Sequence, residues 1–280
     1  MGTNCQRPVY CLETFGRELR SKKDVKRIWA LFVVSLPGLA LGQDLQTARM
    51  MMDGAMAELA THTDLTLVLD GTETDGTSQT TFRAMASVNH VLLNGRNVPR
   101  IEFLKYQGNQ LLTRAAADGE RFWNYDLIKR EYTSADYATA SFVGKERERL
   151  FQNVLLRSKD EQTFLAKLLK DTYSAGVGQR SNWQPWRPSA VVKIEGENIV
   201  CTSTVPAPGR LTYILKNEPG FGWRLNGAEY LEESTISGRL RTIQWTVTIF
   251  RGQLPQGTSF LFVPPTGARA VAVNETRGGF

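Results

Sequence analysis

At residues 118–126 the chain reads DGERFWNYD. An Asp-Gly pair favours a tight turn, because Gly accepts a positive φ angle at little steric cost. The pair lies between two stretches that alternate as strands do, and Trp123 and Tyr125 fall on one face of the second stretch. We therefore predict a β-hairpin at this point, with an aromatic pair that packs in a sheet core.

Strand-like alternation continues before this hairpin. Across residues 63–137 apolar side chains recur at every second position, which predicts an antiparallel meander. Turn-forming pairs interrupt the alternation at Asp70-Gly71, Asp75-Gly76 and Asn94-Gly95.

A second series of strands follows residue 190. The pattern predicts strands at residues 191–195, 198–205, 211–217, 223–225, 240–251 and 259–263. The pair Pro264-Pro265 is expected to end the sheet, because proline cannot donate to a ladder. The strand at 240–251 is long and apolar on one face, so helices must cover that face or the sheet must curl around it.

Two segments have helical periodicity. Residues 43–61 place apolar side chains, including three consecutive Met residues, at spacings of three and four, and residues 141–173 repeat this spacing. Between the second segment and the next strand, residues 176–189 form a loop with Trp183 and Trp186. We predict that both tryptophans fold back onto the body of the protein.

The N-terminal residues have the pattern of an export signal. Residues 28–42 form an uncharged run of 15 residues, preceded by Lys and Arg and ending in small residues. A membrane anchor is the alternative, but a spanning helix needs about 20 apolar residues. We predict a signal peptide at 1–42 whose true start is near Val25, cleavage after Gly42, and one soluble exported domain at 43–280.

The basic charge belongs mostly to this leader. Of the net charge of +6, residues 1–42 carry +4 and the rest of the chain +2. This distribution argues against a nucleic-acid partner. Cys201 is the single cysteine after residue 42. It therefore cannot form an internal disulfide, and we expect a small buried side chain.

Catalytic and metal-binding patterns are missing from the sequence. His62 and His90 have no Cys, Asp or Glu at metal-ligand spacing, and there is no Gly-x-Ser-x-Gly or His-Glu-x-x-His motif. We predict a protein that is not an enzyme and has no cofactor or metal. A hydrolase with a site assembled from distant residues, including His90, is the least favoured reading.

The order of these features resembles the periplasmic outer-membrane lipoprotein carriers, the LolA-like family. The resemblance rests on residues 118–125, DGERFWNY, and residues 260–268, FLFVPPTGA, with a helical insertion between two meanders. It implies an α+β fold, mainly antiparallel β, with an incomplete, half-open β-barrel and helices as plug or lid on the concave face. It also implies a periplasmic carrier of lipoproteins or lipids that exchanges cargo with inner-membrane donor and outer-membrane acceptor proteins.

The chain departs from the family at one position. The family's Arg-Pro pair, whose Arg helps hold the lid closed, is replaced here by Val98-Pro99. Arg96 and Arg100 flank this pair and are the candidates for that role. A relative that carries or senses another lipid fits the sequence equally well.

We predict that acyl chains lie against one apolar face of the sheet. Two functions follow from this: a non-catalytic carrier or binder, or a sensor module of the same fold that binds a membrane-tethered partner. The predicted lipid-binding residues are Leu67, Leu69, Phe82, Val88, Ile101, Phe103, Trp123, Tyr125, Trp245 and Val247.

Overall fold

A computed structural model describes residues 42–93, 96–136, 159–176, 178 and 183–271. From Asp44 onward these residues belong to one compact unit. The predicted leader (apart from Gly42), the turn at Asn94-Gly95 and the helical prediction for residues 141–158 lie outside them.

Two helices lie within the described ranges. Helix α1 covers residues 42–60 and helix α2 covers Lys159–Gly176. The predicted helix at 43–61 and the last part of the one at 141–173 are confirmed. The apolar stripe of α1 is buried, as its three- and four-residue spacing requires, through Ala48, Met51, Met52, Ala55, Met56 and Leu59.

The described strands form one sheet. They are β1 (Asp64–Asp75), β2 (Ser78–Leu93), β3 (Arg96–Gln107), β4 (Gln110–Ala117), β5 (Arg121–Asp126), β6 (Glu131–Asp136), β7 (Val191–Glu195), β8 (Asn198–Ser203), β9 (Gly209–Glu218), β10 (Gly222–Ile236), β11 (Arg239–Arg251) and β12 (Arg269–Ala270).

The sheet consists of two meanders joined at their long strands. The strand order is β12-β6-β5-β4-β3-β2-β1-β11-β10-β9-β8-β7, and β1 pairs with β11 at the junction. All these pairs are antiparallel except β12 with β6. Within the described ranges β12 and β7 are the two ends of the sheet, which does not close on itself. The predicted α+β fold with a mainly antiparallel sheet is confirmed at this level.

The two faces of the sheet differ. The inner face, which bears Leu67, Leu69 and Phe103, packs with α1 and α2 in the main apolar core. The outer face bears the alternate residues, and around Asp70 and Arg83 it is polar and exposed.

The predicted turn at Asp70-Gly71 is wrong, because β1 runs through it without a break. A Cβ atom at Gly71 would lie 2.3 Å from Cζ of Phe82 and 2.9 Å from Cβ of Trp245. A glycine is therefore needed here, because the side chains of Phe82 and Trp245 occupy the space that a Cβ atom would fill. The turn predicted at Asp75-Gly76 is confirmed, with φ of 59° at Gly76.

Strand β10 is much longer than the predicted 223–225. It continues through Asn226-Gly227 with a bulge between Leu225 and Gly227, where a Cβ would lie 2.4 Å from the carbonyl oxygen of Val247. Its later residues include Glu232, a charged side chain on the inner face. The turn-like pair Asn226-Gly227 and the acidic residues after it do not have the pattern of a strand, so the full length of β10 was not predicted from the sequence.

The predicted strand at 259–263 is also wrong. This segment crosses the outer face, where the Ser259 N–H donates to Oε2 of Glu102 at 3.1 Å and Arg114 donates to the Ser259 carbonyl at 3.1 Å. Pro264-Pro265 does not end the sheet either, because β12 follows it and pairs with β6.

Candidate functional site

The candidate site is the apolar inner face together with the helices that cover it. Side chains from β1, β2, β3, β9, β10 and β11 form one buried cluster with both helices. A face of this kind attracts any apolar partner, because burying apolar surface contributes about 25 cal/mol per Å². In this structure the helices occupy the position that a lipid would need.

Helix α2 contacts the sheet through an aromatic group. The Phe164 ring centroid lies 5.1 Å from that of Trp245 and 5.7 Å from that of Tyr213. Trp245 in turn stacks on Tyr230 at 4.9 Å. Such rings bury large apolar areas, so they fix where α2 lies on the face.

Helix α1 contributes methionines to the same space. Met51, Met52 and Met56 are at most 2% exposed. The Thr172 hydroxyl of α2 donates to the Met56 sulfur at 3.5 Å, which links the two helices. Methionine adapts its shape easily, so this part of the core tolerates rearrangement better than a branched aliphatic core does.

A charged cluster fixes the C-terminal end of α1 to the sheet. Glu58 accepts from Arg251 at 2.9, 3.2 and 3.1 Å, lies 3.5 Å from Arg224, and contacts His62 at 3.0 Å. The side chains of Arg251 and Glu58 are 8% and 14% exposed. This bidentate ion pair joins α1 to β11.

The loop before β7 closes one end of the core, as predicted for its tryptophans. Trp183 is 2% exposed and meets Tyr213 edge to face at 5.6 Å, while Trp186 meets Tyr230 at 5.7 Å. A buried ion pair between Arg187 and Glu232 secures the loop. Sequence reasoning missed this pair, because its members are 45 residues apart.

Eight of the ten predicted lipid-binding residues lie together on the inner face. Six are buried and two are partly buried against them. They are Leu67, Leu69, Phe82, Val88, Ile101, Phe103, Trp245 and Val247.

The other two, Trp123 and Tyr125, lie on the outer face, so the ten residues do not line one groove. Trp123 is the cross-strand partner of Ala116, and Ala116 is the cross-strand partner of Glu102. Glu102 is the neighbour of the inner residue Phe103 on β3, so these three side chains point to the outer face. Both aromatic rings pack instead around Phe262 in a second cluster. Strand parity places them on a common face, but only the ladder register shows which face it is.

Among the described residues, Arg100 contacts Asn89 and the outer-face segment rather than α1 or α2, although its position flanks the missing Arg-Pro pair. Its guanidinium donates to Oδ1 of Asn89 at 3.1 and 2.6 Å, and its Cζ lies 4.9 Å from the centre of the Phe260 ring. It therefore stabilises the outer-face segment. The side chain of Arg96 lies outside the described part of the chain.

Burial shifts the pKa values of His90 and Cys201. Burial lowers the pKa of His90 below its usual value, because it disfavours the imidazolium. Burial raises the pKa of the Cys201 thiol to about 12. Cys201 is fully buried, as predicted. Within the described ranges, no group of three His, Cys, Asp or Glu residues is arranged to hold a metal ion.

Comparisons with known proteins add little. No protein-family model and no curated protein matches the chain. Among solved structures it is similar to a DUF1329 family protein from Desulfovibrio piger, with 11% identity, a TM-score of 0.28, and coverage of 73% of this chain and 90% of that chain. A likeness at this level carries no argument about function. Neither described helix has the length and apolar character needed to cross a bilayer.

Proposed function

We propose that this chain is a non-catalytic periplasmic carrier or binder of lipids or lipoproteins. Acyl chains would lie against the inner face of the sheet, which acts as a half-open barrel with α1 and α2 as its plug or lid. The observation that supports this proposal is the covering of a broad apolar sheet face by two helices, one of them rich in buried methionine.

The energetic argument is one of exchange. Each buried methylene contributes about 0.8 kcal/mol, so an acyl chain can replace the contacts that Met51, Met52 and Phe164 make with the sheet. The exchange also requires α1 to move, and the ion pair of Glu58 with Arg251 opposes that movement. Loading and release then depend on the difference in free energy between acyl-chain contacts and helix contacts with the same sheet face. Inner-membrane donor and outer-membrane acceptor proteins are the partners that such a carrier needs.

Native mass spectrometry of the protein, purified gently from the exported fraction, tests this proposal. We expect an adduct with the mass of a lipid or an acylated peptide. In a second assay the Glu58→Gln variant is expected to bind a fluorescent fatty acid more tightly than the parent, because the plug is held less firmly. Glu195→Gln is the control, since Glu195 forms only an exposed pair with Arg210.

A clean mass without adduct, together with no fatty-acid binding by the parent or by Glu58→Gln, would contradict the proposal. The inner face would then be a closed core.

A further inference from the structure

A groove of about 1290 Å³ lies on the outer face of the sheet, away from the helices. Its lining comes from β3, β2, β1, β11, β10, β9 and β8, which are consecutive neighbours in the sheet. Adjacent strands are about 4.8 Å apart, so the groove extends over about 29 Å. It is larger than a typical pocket for a small ligand, and its length suits a chain molecule.

Uncharged hydrogen-bonding side chains recur along this lining. Hydroxyl groups both donate and accept, and amide side chains offer both functions on separate atoms. The residues concerned are Thr72, Thr81, Asn109, Asn198, Thr212, Gln244 and Thr246.

The ladder register places the Thr and Gln side chains in rows that cross the strands. Thr72 lies between Thr81 and Gln244, each its direct cross-strand partner. In the next row Thr246 lies opposite Glu229, and Glu229 lies opposite Thr212. The rows run across the strands, parallel to the long direction of the groove. The row through Thr246 offers a polar group on each strand from β2 to β9, whereas Leu231 on β10 interrupts the row through Thr72.

The charges in the groove balance. The lining contains Arg83 and Arg210 as well as Asp70 and Glu229. Arg83 donates to Asp70 at 2.5 Å, and Arg210 donates to Glu195 at 3.1 Å. A site for phosphate or another anion needs cations that are not already paired with carboxylates, so this composition favours a neutral ligand.

The groove also has less polar surfaces. Tyr106 lines it from β3, and Met85 and Leu231 lie on the same outer face. Leu231 is 43% exposed. A sugar ring has the same mixture of properties, because it carries hydroxyl groups at its rim and C–H groups on its faces, which pack against aromatic and aliphatic side chains.

We propose that the outer-face groove binds a neutral oligosaccharide chain, which lies across the strands with its hydroxyl groups on the Thr, Asn and Gln rows. Most of the lining side chains lie on the face opposite the acyl-binding residues, although Phe82 and Trp245 also border the groove, and the proposal does not depend on the acyl-binding proposal. A protein with both sites would hold a lipid on one face of its sheet and a glycan on the other.

Calorimetry with the full chain tests the proposal, with maltohexaose, cellohexaose and N-acetylchitohexaose as probes. At least one is expected to bind saturably, with an affinity that stays within about twofold between about 50 mM and about 500 mM NaCl, because the ligand is uncharged. Thr246→Val is expected to weaken binding at least about fivefold, since it loses a hydrogen bond but keeps its shape.

Thr248→Val is the matched control. Thr248 lies on the same strand and the same face, two residues beyond Thr246, and is not part of the groove lining. It should change the affinity less than about twofold. The proposal fails if none of the three sugars binds, if salt abolishes binding, or if Thr248→Val weakens binding as much as Thr246→Val.

Discussion

The ring of Phe262 packs against the ring of Tyr125 with their centroids 5.4 Å apart. These residues belong to the two most distinctive stretches of the sequence, at 118–126 and 260–268, which lie far apart along the chain. Phe262 also lies 6.4 Å from Trp123 and 5.9 Å from Tyr132. The two stretches are thus halves of one packing unit on the outer face, and their aromatic residues serve the fold.

Replacing Phe262 with Ala is expected to lower the free energy of unfolding by about 3 kcal/mol, because it leaves a cavity among three aromatic rings. Urea denaturation measures this loss. Leu261→Ala is the control: the Leu261 side chain is 56% exposed, so its loss should cost less than about 0.5 kcal/mol. Equal losses for the two variants would contradict the packing role of Phe262.

The ion pair of Arg187 with Glu232 should matter more than any exposed pair. Its side chains are 7% and 10% exposed, and the Tyr230 hydroxyl donates to Glu232 at 2.6 Å. Glu232→Gln is expected to destabilise the protein by about 3 kcal/mol, because Arg187 stays buried without a full partner charge.

Glu195→Gln provides the matched comparison, since the Arg210–Glu195 pair is 53% exposed on both sides and is expected to contribute less than about 1 kcal/mol. Thermal unfolding of Glu232→Gln and Glu195→Gln measures the loss of stability for each variant. A Glu232→Gln protein as stable as Glu195→Gln would show that the buried pair is not needed.

Gly71→Ala is expected to destabilise the protein by about 2 kcal/mol, because the new methyl group overlaps the Phe82 ring and Cβ of Trp245. Gly54→Ala is the control. Its Cβ would lie 3.4 Å from Cβ of Trp223, an ordinary contact, and it lies within α1, where Ala is favoured by up to about 1 kcal/mol. A second change, Phe82→Leu, should restore part of the stability of Gly71→Ala. No loss for Gly71→Ala would mean that the strand relaxes freely.

The Cys201 thiol should make stability depend on alkaline pH. Burial raises its pKa from 9.0 to about 12, so the unfolded chain loses this proton at lower pH than the folded chain does. The contribution is present in full below about pH 9 and is lost as the pH rises towards 12. In a Cys5→Ser, Cys11→Ser background, stability should fall more steeply above pH 9 with Cys201 than with Cys201→Ala. Equal slopes would contradict the shifted pKa.

Local patterns in the sequence were enough to predict much of the fold. Strand alternation at every second residue and helical spacings of three and four residues identified most strands and α1, because these spacings follow directly from backbone geometry. The turn at Asp118-Gly119 is confirmed: Gly119 has φ of 103°, and the Asp118 carboxylate accepts from the backbone N–H groups of Glu120 and Arg121, each at 2.8 Å.

Features that depend on distant partners were not predictable in this way. Asp70-Gly71 has the composition of a turn, yet it continues a strand because Phe82, on the neighbouring strand, fills the space above the glycine. The charge of Glu232 argues against an inner-face position, and only its ion pair with Arg187 makes that position stable. In both cases the local structure depends on a contact with a residue distant in sequence, which local propensity does not describe.

The sequence by itself determined which residues alternate, where α1 and most of the strands run, and that the sheet has an apolar face in need of cover. Only the tertiary structure decided that Trp123 and Tyr125 lie on the face opposite Phe103, that α1 and α2 fill the inner face, and that residues of seven strands line one outer groove. The physical reason is that alternation along a strand defines two faces without distinguishing them, whereas register between strands and packing across them assign each face its partner.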